Sequence, residues 1–196
     1  IEAHLDKFPS STKYVLMADK EHMPECKIPN VICYEDLIEK ESSDFEWPEF
    51  DENTASGLCY TSGTTGNPKG VLYSHRSTVL HALIQCFYNA GSFSPKKKIL
   101  PIVPLFHANA WGIPYSAPIS GTSLVFPGAN LDGKSVYDLL EKYSVNSAWG
   151  VPTVWMGLLE EISQRGGKKP DGLEEMLVCG SAAAKSLIEA FENMGV

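Results

Sequence analysis

A layered α/β/α domain with a mostly parallel or mixed sheet is what this sequence predicts, and three observations carry the expectation. Short apolar runs of strand length alternate with longer amphipathic runs through the second half of the chain. Turn residues separate these runs at the spacing of βα units. With 196 residues and 43% hydrophobic content, the chain can bury a substantial core as one domain or slightly more.

The elements read in order as follows. Lys13–Ala18 (KYVLMA) and Asn30–Cys33 have the length of buried strands, and Tyr34–Glu41 has helical character. From Glu35 to Glu52, nine acidic residues stand against the single Lys40, with Pro48 and three aromatics, which reads as an exposed connection. Gly57–Thr61 and Gly70–Ser74 read as two short strands around a polar, glycine-rich loop. A helix follows, capped near Ser74 or His75 and closed by Gly91. Its stripe of Val79, Leu80, Leu83, Ile84 and Phe87 has helical spacing and reads as core. Beyond it, strand-like Ile99–Val103, Ser123–Phe126, Ser147–Trp149 and Met176–Cys179 alternate with helical Ser135–Tyr143, Thr153–Gln164 and Ala184–Met194. The chain stops at a helix end, so the fold is expected to be incomplete.

Composition removes several function classes. A net charge of −8 argues against nucleic acid as a main partner, because a phosphate backbone needs a concentrated basic surface. The run Lys96-Lys97-Lys98 reads as a solvated turn. Five dispersed cysteines (Cys26, Cys33, Cys59, Cys86, Cys179) show no zinc-site spacing and fit reduced thiols in a cytoplasmic setting. Ile99–Leu131 spans 33 residues without a charge, yet five prolines and three glycines interrupt it. Such breakers leave backbone groups unsatisfied in lipid, so no transmembrane segment is expected. Buried core beside a ligand cavity is the better reading.

The chemistry concentrates in Tyr60–Val71, YTSGTTGNPKGV. Glycines let backbone N–H groups face an anion, hydroxyls donate further hydrogen bonds, and Lys69 adds a mobile positive charge. Such a loop suits a polyphosphate. It is not a Walker A loop: the fifth residue after Gly63 is Pro68, and Lys69 is followed by Gly70 rather than Ser or Thr.

The same twelve residues resemble the phosphate-loop signature of the adenylate-forming, AMP-binding enzymes. That superfamily includes acyl-CoA synthetases, aryl-CoA ligases, firefly-type luciferases and peptide-synthetase adenylation domains. Pro104-Leu105-Phe106-His107, Val151-Pro152-Thr153 and Gly180-Ser181-Ala182-Ala183 look like later motifs of the family. The resemblance implies that residues 1–196 are the central portion of the large N-terminal domain of an acyl-CoA synthetase-like fold, without the small C-terminal domain.

What the resemblance implies for chemistry is specific. ATP and a carboxylic acid give an acyl-adenylate and pyrophosphate, and coenzyme A then gives the thioester and AMP. Thr61, Ser62, Gly63, Thr64 and Thr65 would contact the β- and γ-phosphates, with Gly66 in the same loop. Thr65 would also lie near Mg2+, and Lys69 would act as a loop charge. Gly180, Ser181 and Ala182 would lie along the adenine and acyl-adenylate. His107, after Pro-Leu-Phe, resembles the aromatic gate between acyl pocket and ATP site, so Thr65, Lys69 and His107 are the catalytic candidates. The acyl pocket would be walled by His107, Trp111, Trp149, Gly150 and Val151.

Amino-acid-activating members place an Asp where this chain has His107, which speaks against an amino acid. A charge-free aromatic pocket suits a medium or long-chain fatty acid first, or an aryl acid. Luciferase-like chemistry, transfer to a carrier protein, and a non-enzymatic nucleotide-binding module stay open, as does a homodimer. The magnesium Glu, ribose Asp and catalytic Lys of the family are not in the sequence, so the isolated chain is expected to lack ligase activity.

Overall fold

The computed structural model describes residues 1–61, 66–89 and 91–196. It falls into two units, Ile1–Glu49 and Phe50–Val196. In the first, a 3-10 segment (Glu2–Lys7) precedes β1 (Val15–Leu16), which pairs in parallel with β2 (Ile32–Cys33); α1 (Tyr34–Ile38) follows directly. The apolar runs Lys13–Ala18 and Asn30–Cys33 therefore yield only two paired residues each. A lone parallel pair has no third strand to extend its ladder. No helix or strand lies between Ile38 and Ala55, and every residue from Glu39 to Thr54 is exposed, as the acidic composition leads one to expect.

The second unit begins with an antiparallel hairpin, β3 (Ala55–Thr61) and β4 (Lys69–Ser74), paired from Ala55↔Ser74 to Thr61↔Lys69. β4 runs into α2 (His75–Tyr88) with no intervening residue. Ser74 makes the junction: its Oγ accepts the Ser77 N–H at 3.1 Å, and its own N–H donates to Ser77 Oγ at 3.0 Å. This reciprocal capping satisfies donors that a helix start leaves free.

The stripe on α2 departs from expectation. Val79, Leu80, Leu83, Ile84 and Phe87 are all exposed, Phe87 at 83%, and the buried residues of α2 are Ala82 and Gln85. Helical periodicity finds an apolar face but does not say what covers it. Within this chain α2 instead packs on α3 through its Ala82–Gln85 side.

A four-stranded parallel sheet forms the rest. Its elements are β5 (Lys98–Pro101), α3 (Ile113–Ser120), β6 (Ser123–Leu124), α4 (Gly133–Tyr143), β7 (Ser147–Gly150), α5 (Pro152–Gln164), β8 (Glu175–Val178) and α6 (Lys185–Glu192), with strand order β6-β5-β7-β8. Side chains alternate across a strand, and here the alternation sorts the core. Leu100, Ile102 and Ala148 face a cluster with Leu140, Trp155, Leu158, Ile162 and Phe191 from α4, α5 and α6. Ile99, Val103 and Trp149 face the other way, against Phe93, Ile113 and Ala117. Helices on both faces of the sheet give the α/β/α layering.

Two details shape this unit. A Cβ on Gly133 would stand 2.1 Å from the Gly157 carbonyl oxygen, so α4 and α5 meet where only glycine fits. The helix α3 lies inside the proline-rich stretch that reads as interrupted. Pro114 sits in its first turn, where a missing N–H costs nothing, and Pro118 is tolerated near its end. That stretch is also only partly interior: Ile99, Leu100, Ile113 and Ala117 are buried, whereas Phe106 is 87% exposed.

Candidate functional site

The strand order fixes where a ligand can sit. β5 connects through α3 on one face of the sheet, and β7 through α5 on the other. Connections that diverge to opposite faces open a crevice at the carboxyl ends of the two strands between them. Three segments emerge there: Ile102–His107 after β5, Val151 after β7, and Cys179–Ala182 after β8. The Ile102 N–H donates to the Trp149 carbonyl at 2.8 Å, and the Cys179 N–H to the Gly150 carbonyl at 3.0 Å, extending the ladder to the rim. Gly180, at φ +86°, passes so close to β7's exit that a Cβ would lie 3.1 Å from Val151 Cγ1.

His107 stands exposed at the start of an unusual turn. Its N–H donates to the Pro104 carbonyl at 3.1 Å, and its carbonyl accepts the Ala110 N–H at 3.0 Å. Ala108, Asn109, Ala110, Trp111 and Gly112 then take φ values of 45°, 51°, 46°, 55° and 84°. Four consecutive non-glycine residues in the left-handed region cost on the order of 1–2 kcal/mol each. Such a turn persists only where its surroundings hold it. Here Gln85 Nε2 donates to the Trp111 carbonyl at 2.9 Å, and the Ser116 hydroxyl lies between Gln85 Oε1 and the Gly112 carbonyl. Cys59 Sγ meets Asn109 Oδ1 at 3.5 Å, tying β3 to the turn. At Gly112 a Cβ would meet the His81 ring at 2.7 Å, so a larger residue there requires that exposed ring to move.

Between β4, α2 and this turn lies a cavity of about 320 Å3, lined among others by Tyr73, Thr78, His81, Asn109, Trp111 and Tyr115. Its size matches the low end of small-molecule sites, and its mix of aromatic and hydroxyl groups is typical of them. The hairpin mouth is closed by the Thr61↔Lys69 pair, and both residues are exposed, as is Gly66 at φ +129°. Ser62, Gly63, Thr64 and Thr65 lie outside the described residues.

Of the residues nominated by sequence, the structure gathers Gly150, Val151, Gly180 and Ser181 at the sheet's carboxyl rim, with Ala182 next in the chain. Trp111 lines the cavity. Trp149 is only 1% exposed and stands behind Trp111, with ring centroids 6.2 Å apart and Phe93 edge-on at 5.7 Å. It is core that backs the pocket rather than open wall. Its indole N–H donates to Ser147 Oγ at 2.8 Å, and Ser147 in turn donates to Glu175 at 3.0 Å. Burial pushes the Cys179 thiol up, which keeps it protonated at neutral pH and a poor nucleophile. Sequence reasoning missed Gln85, Tyr73, His81 and Asn109. Only Asn109 left a signal, as a residue type that favours left-handed backbone.

Comparison with known proteins agrees with this geometry. The family model described as AMP-binding enzyme matches residues 8–196. Among curated relatives, the medium-chain-fatty-acid–CoA ligase of Ectopseudomonas oleovorans is 49% identical over 95% of this chain and 34% of its own length. The 3-methylmercaptopropionyl-CoA ligase of Ruegeria lacuscaerulensis is 45% identical over 100% of this chain and 36% of its own. The chain thus spans about a third of the relatives it matches. Among solved structures, the o-succinylbenzoate coenzyme A synthetase of Bacillus subtilis, in complex with ATP and a magnesium ion, superposes with a TM-score of 0.68. That match covers 84% of this chain and 34% of the other at 24% identity, a likeness of fold.

Proposed function

The chain belongs to the AMP-binding enzyme family, and we propose that the protein carrying it activates a carboxylic acid with ATP and passes the acyl group to coenzyme A. The supporting observation is the hairpin: Thr61 and Lys69, the residues on either side of the Ser/Thr/Gly segment in the sequence, pair with each other, and the same hairpin leads directly into the wall of the cavity. In the first step a carboxylate oxygen attacks the α-phosphorus of ATP, and the bond to the pyrophosphate oxygen breaks. In the second, the coenzyme A sulfur attacks the acyl carbon, its proton passes to solvent, the bond from that carbon to the bridging oxygen of the mixed anhydride breaks, and AMP departs with that oxygen. The products are the thioester and AMP.

The roles are those that the family's motifs imply for these positions. Thr61, Ser62, Gly63, Thr64, Thr65, Gly66 and Lys69 hold the β- and γ-phosphates and neutralise charge on the departing pyrophosphate. Gly180, Ser181 and Ala182 lie along the nucleotide, where the glycine backbone permits close approach. In this reading His107 is the gate between acyl pocket and nucleotide, Trp111 backed by Trp149 forms an apolar wall of the cavity, and Gly150 and Val151 contribute from the sheet's carboxyl rim. Magnesium would neutralise the phosphates. Mg2+ commonly rides on substrate phosphates, so the ion would arrive with ATP. Thr65 is its one nominated contact in this chain.

The acid is a medium or long-chain fatty acid in this reading. Support comes from the 49% identity to a medium-chain ligase and from His107 where an amino-acid enzyme would carry a carboxylate. No helix among the described residues is long and apolar enough to cross a membrane. We place the protein in the cytoplasm, where free thiols such as its five cysteines stay reduced.

Pyrophosphate exchange by the full-length protein over a panel of carboxylic acids tests the reading. Aliphatic acids should drive exchange best, and Lys69→Ala should lower the rate by about ten-fold or more, as expected for loss of one charged phosphate contact. An undiminished rate in Lys69→Ala removes the loop assignment. Exchange driven best by amino acids removes the substrate assignment.

A further inference from the structure

Gln85 is the buried polar residue of α2, 9% exposed on a helix whose apolar side chains face outward. Both ends of its amide are used. Nε2 donates to the Trp111 carbonyl at 2.9 Å, and Oε1 accepts from the Ser116 hydroxyl. That hydroxyl also lies 3.2 Å from the Gly112 carbonyl, and the Ser116 carbonyl meets Cys86 Sγ at 3.5 Å. One side chain therefore ties α2, the left-handed turn and α3 together at the floor of the cavity. Gln85 thus reaches the end of the turn directly at the Trp111 carbonyl and indirectly, through the Ser116 hydroxyl, at the Gly112 carbonyl, and nothing in the proposed chemistry uses it.

We propose that Gln85 is a positioning residue for acid recognition, holding the left-handed turn Ala108–Gly112 so that Trp111 faces the cavity and His107 stands at its mouth. The inference rests on the assignment of that cavity to the acyl group. A left-handed turn of ordinary residues relaxes toward right-handed or extended backbone when its restraints go. Relaxation would swing Trp111 off its place beside Trp149, whereas the hairpin keeps its own ladder up to Thr61↔Lys69 and meets the turn through the long Cys59–Asn109 contact at 3.5 Å. Loss of Gln85 therefore acts on the acid and spares ATP.

The test is steady-state kinetics of the full-length protein with Gln85→Leu, which keeps bulk and removes both hydrogen bonds. The KM for the acid should rise about ten-fold, the scale of a lost buried hydrogen bond, while the KM for ATP stays within about two-fold. Tryptophan emission should shift to longer wavelength as Trp111 gains water. Ser116→Ala, which removes only the hydroxyl feeding Oε1, should give a smaller shift of the same kind, and it carries the test if Gln85→Leu does not fold. An unchanged acid KM, or equal losses for acid and ATP with unshifted emission, overturns the proposal. A wild-type protein that exchanges pyrophosphate with no carboxylic acid fails earlier and separately, taking the functional reading with it.

Discussion

On one face of the sheet, α4, α5 and α6 cover Leu100, Ile102 and Ala148 with regular helices and a dense apolar cluster that includes the fully buried Trp155, Leu158 and Leu140. On the other, α3 is a single eight-residue helix preceded by five left-handed residues, and the partly buried Trp111 completes a smaller cluster. The first face uses low-strain backbone and closes on glycine contacts such as Gly133 against Gly157. The second tolerates strain, exposes polar groups and encloses the cavity. Under the proposed function, stability and ligand chemistry divide between the two sides of one sheet, as happens where a site must hold side chains in costly geometry.

The division can be broken from either side. Leu158→Ala, on the dense face, should cost about 2–5 kcal/mol of stability and leave the KM for the acid unchanged in the protein that remains folded. Denaturant titration beside substrate kinetics reads both numbers, and a large change in acid KM would erase the division. Trp111→Ala, on the site face, should do the reverse. Its acid KM should rise about ten-fold, within the range of one lost apolar contact surface, with a smaller loss of stability than Leu158→Ala. Equal stability losses in the two variants would show that the faces do not differ.

The smallest effect concerns the outer surface of the dense face. Hydrogen bonds from Lys134, and then Arg165, hold the Asp138 carboxyl below the usual carboxylate range. A depressed carboxylate stabilises the fold above its unfolded pKa and loses that contribution as pH falls through the folded one. Asp138→Asn should therefore flatten the acid limb of stability below about pH 4 and leave acid KM alone. The half-exposed pair is worth little, and a variant with an unaltered acid limb would assign it nothing.

Much of the regular half was legible beforehand, and the reason is physical. Strands β5, β7 and β8 and helices α4 and α5 carry apolar periodicity strong enough to fix their type, and their observed ends fall within about three residues of the expected ones. The hairpin was legible from its composition, with strands expected at Gly57–Thr61 and Gly70–Ser74 against Ala55–Thr61 and Lys69–Ser74 observed. The site face was not. Ala108, Ala110 and Trp111 carry no mark of left-handed backbone, since tertiary contacts impose it, and only Asn109 belongs to a type that favours it. α3 hides behind Pro114 and Pro118. Gln85 looks like a helix-surface residue until Trp111, 26 positions later, arrives at its amide. Placing Val79 to Phe87 in the core failed because periodicity records a face and not its covering.

The seam between Ser74 and His75 has a consequence for how this segment can change. Strand and helix share it without a spare residue, so the chain from Thr61's partner to Gln85 is one ruled bar. Adding a single residue at the seam would turn every later α2 side chain by about 100° about the helix axis. Gln85 would point away from the Trp111 carbonyl while the hairpin stayed put. Length along this bar is therefore counted in whole residues: the exposed positions of α2 are open to substitution, and the seam is closed to insertion.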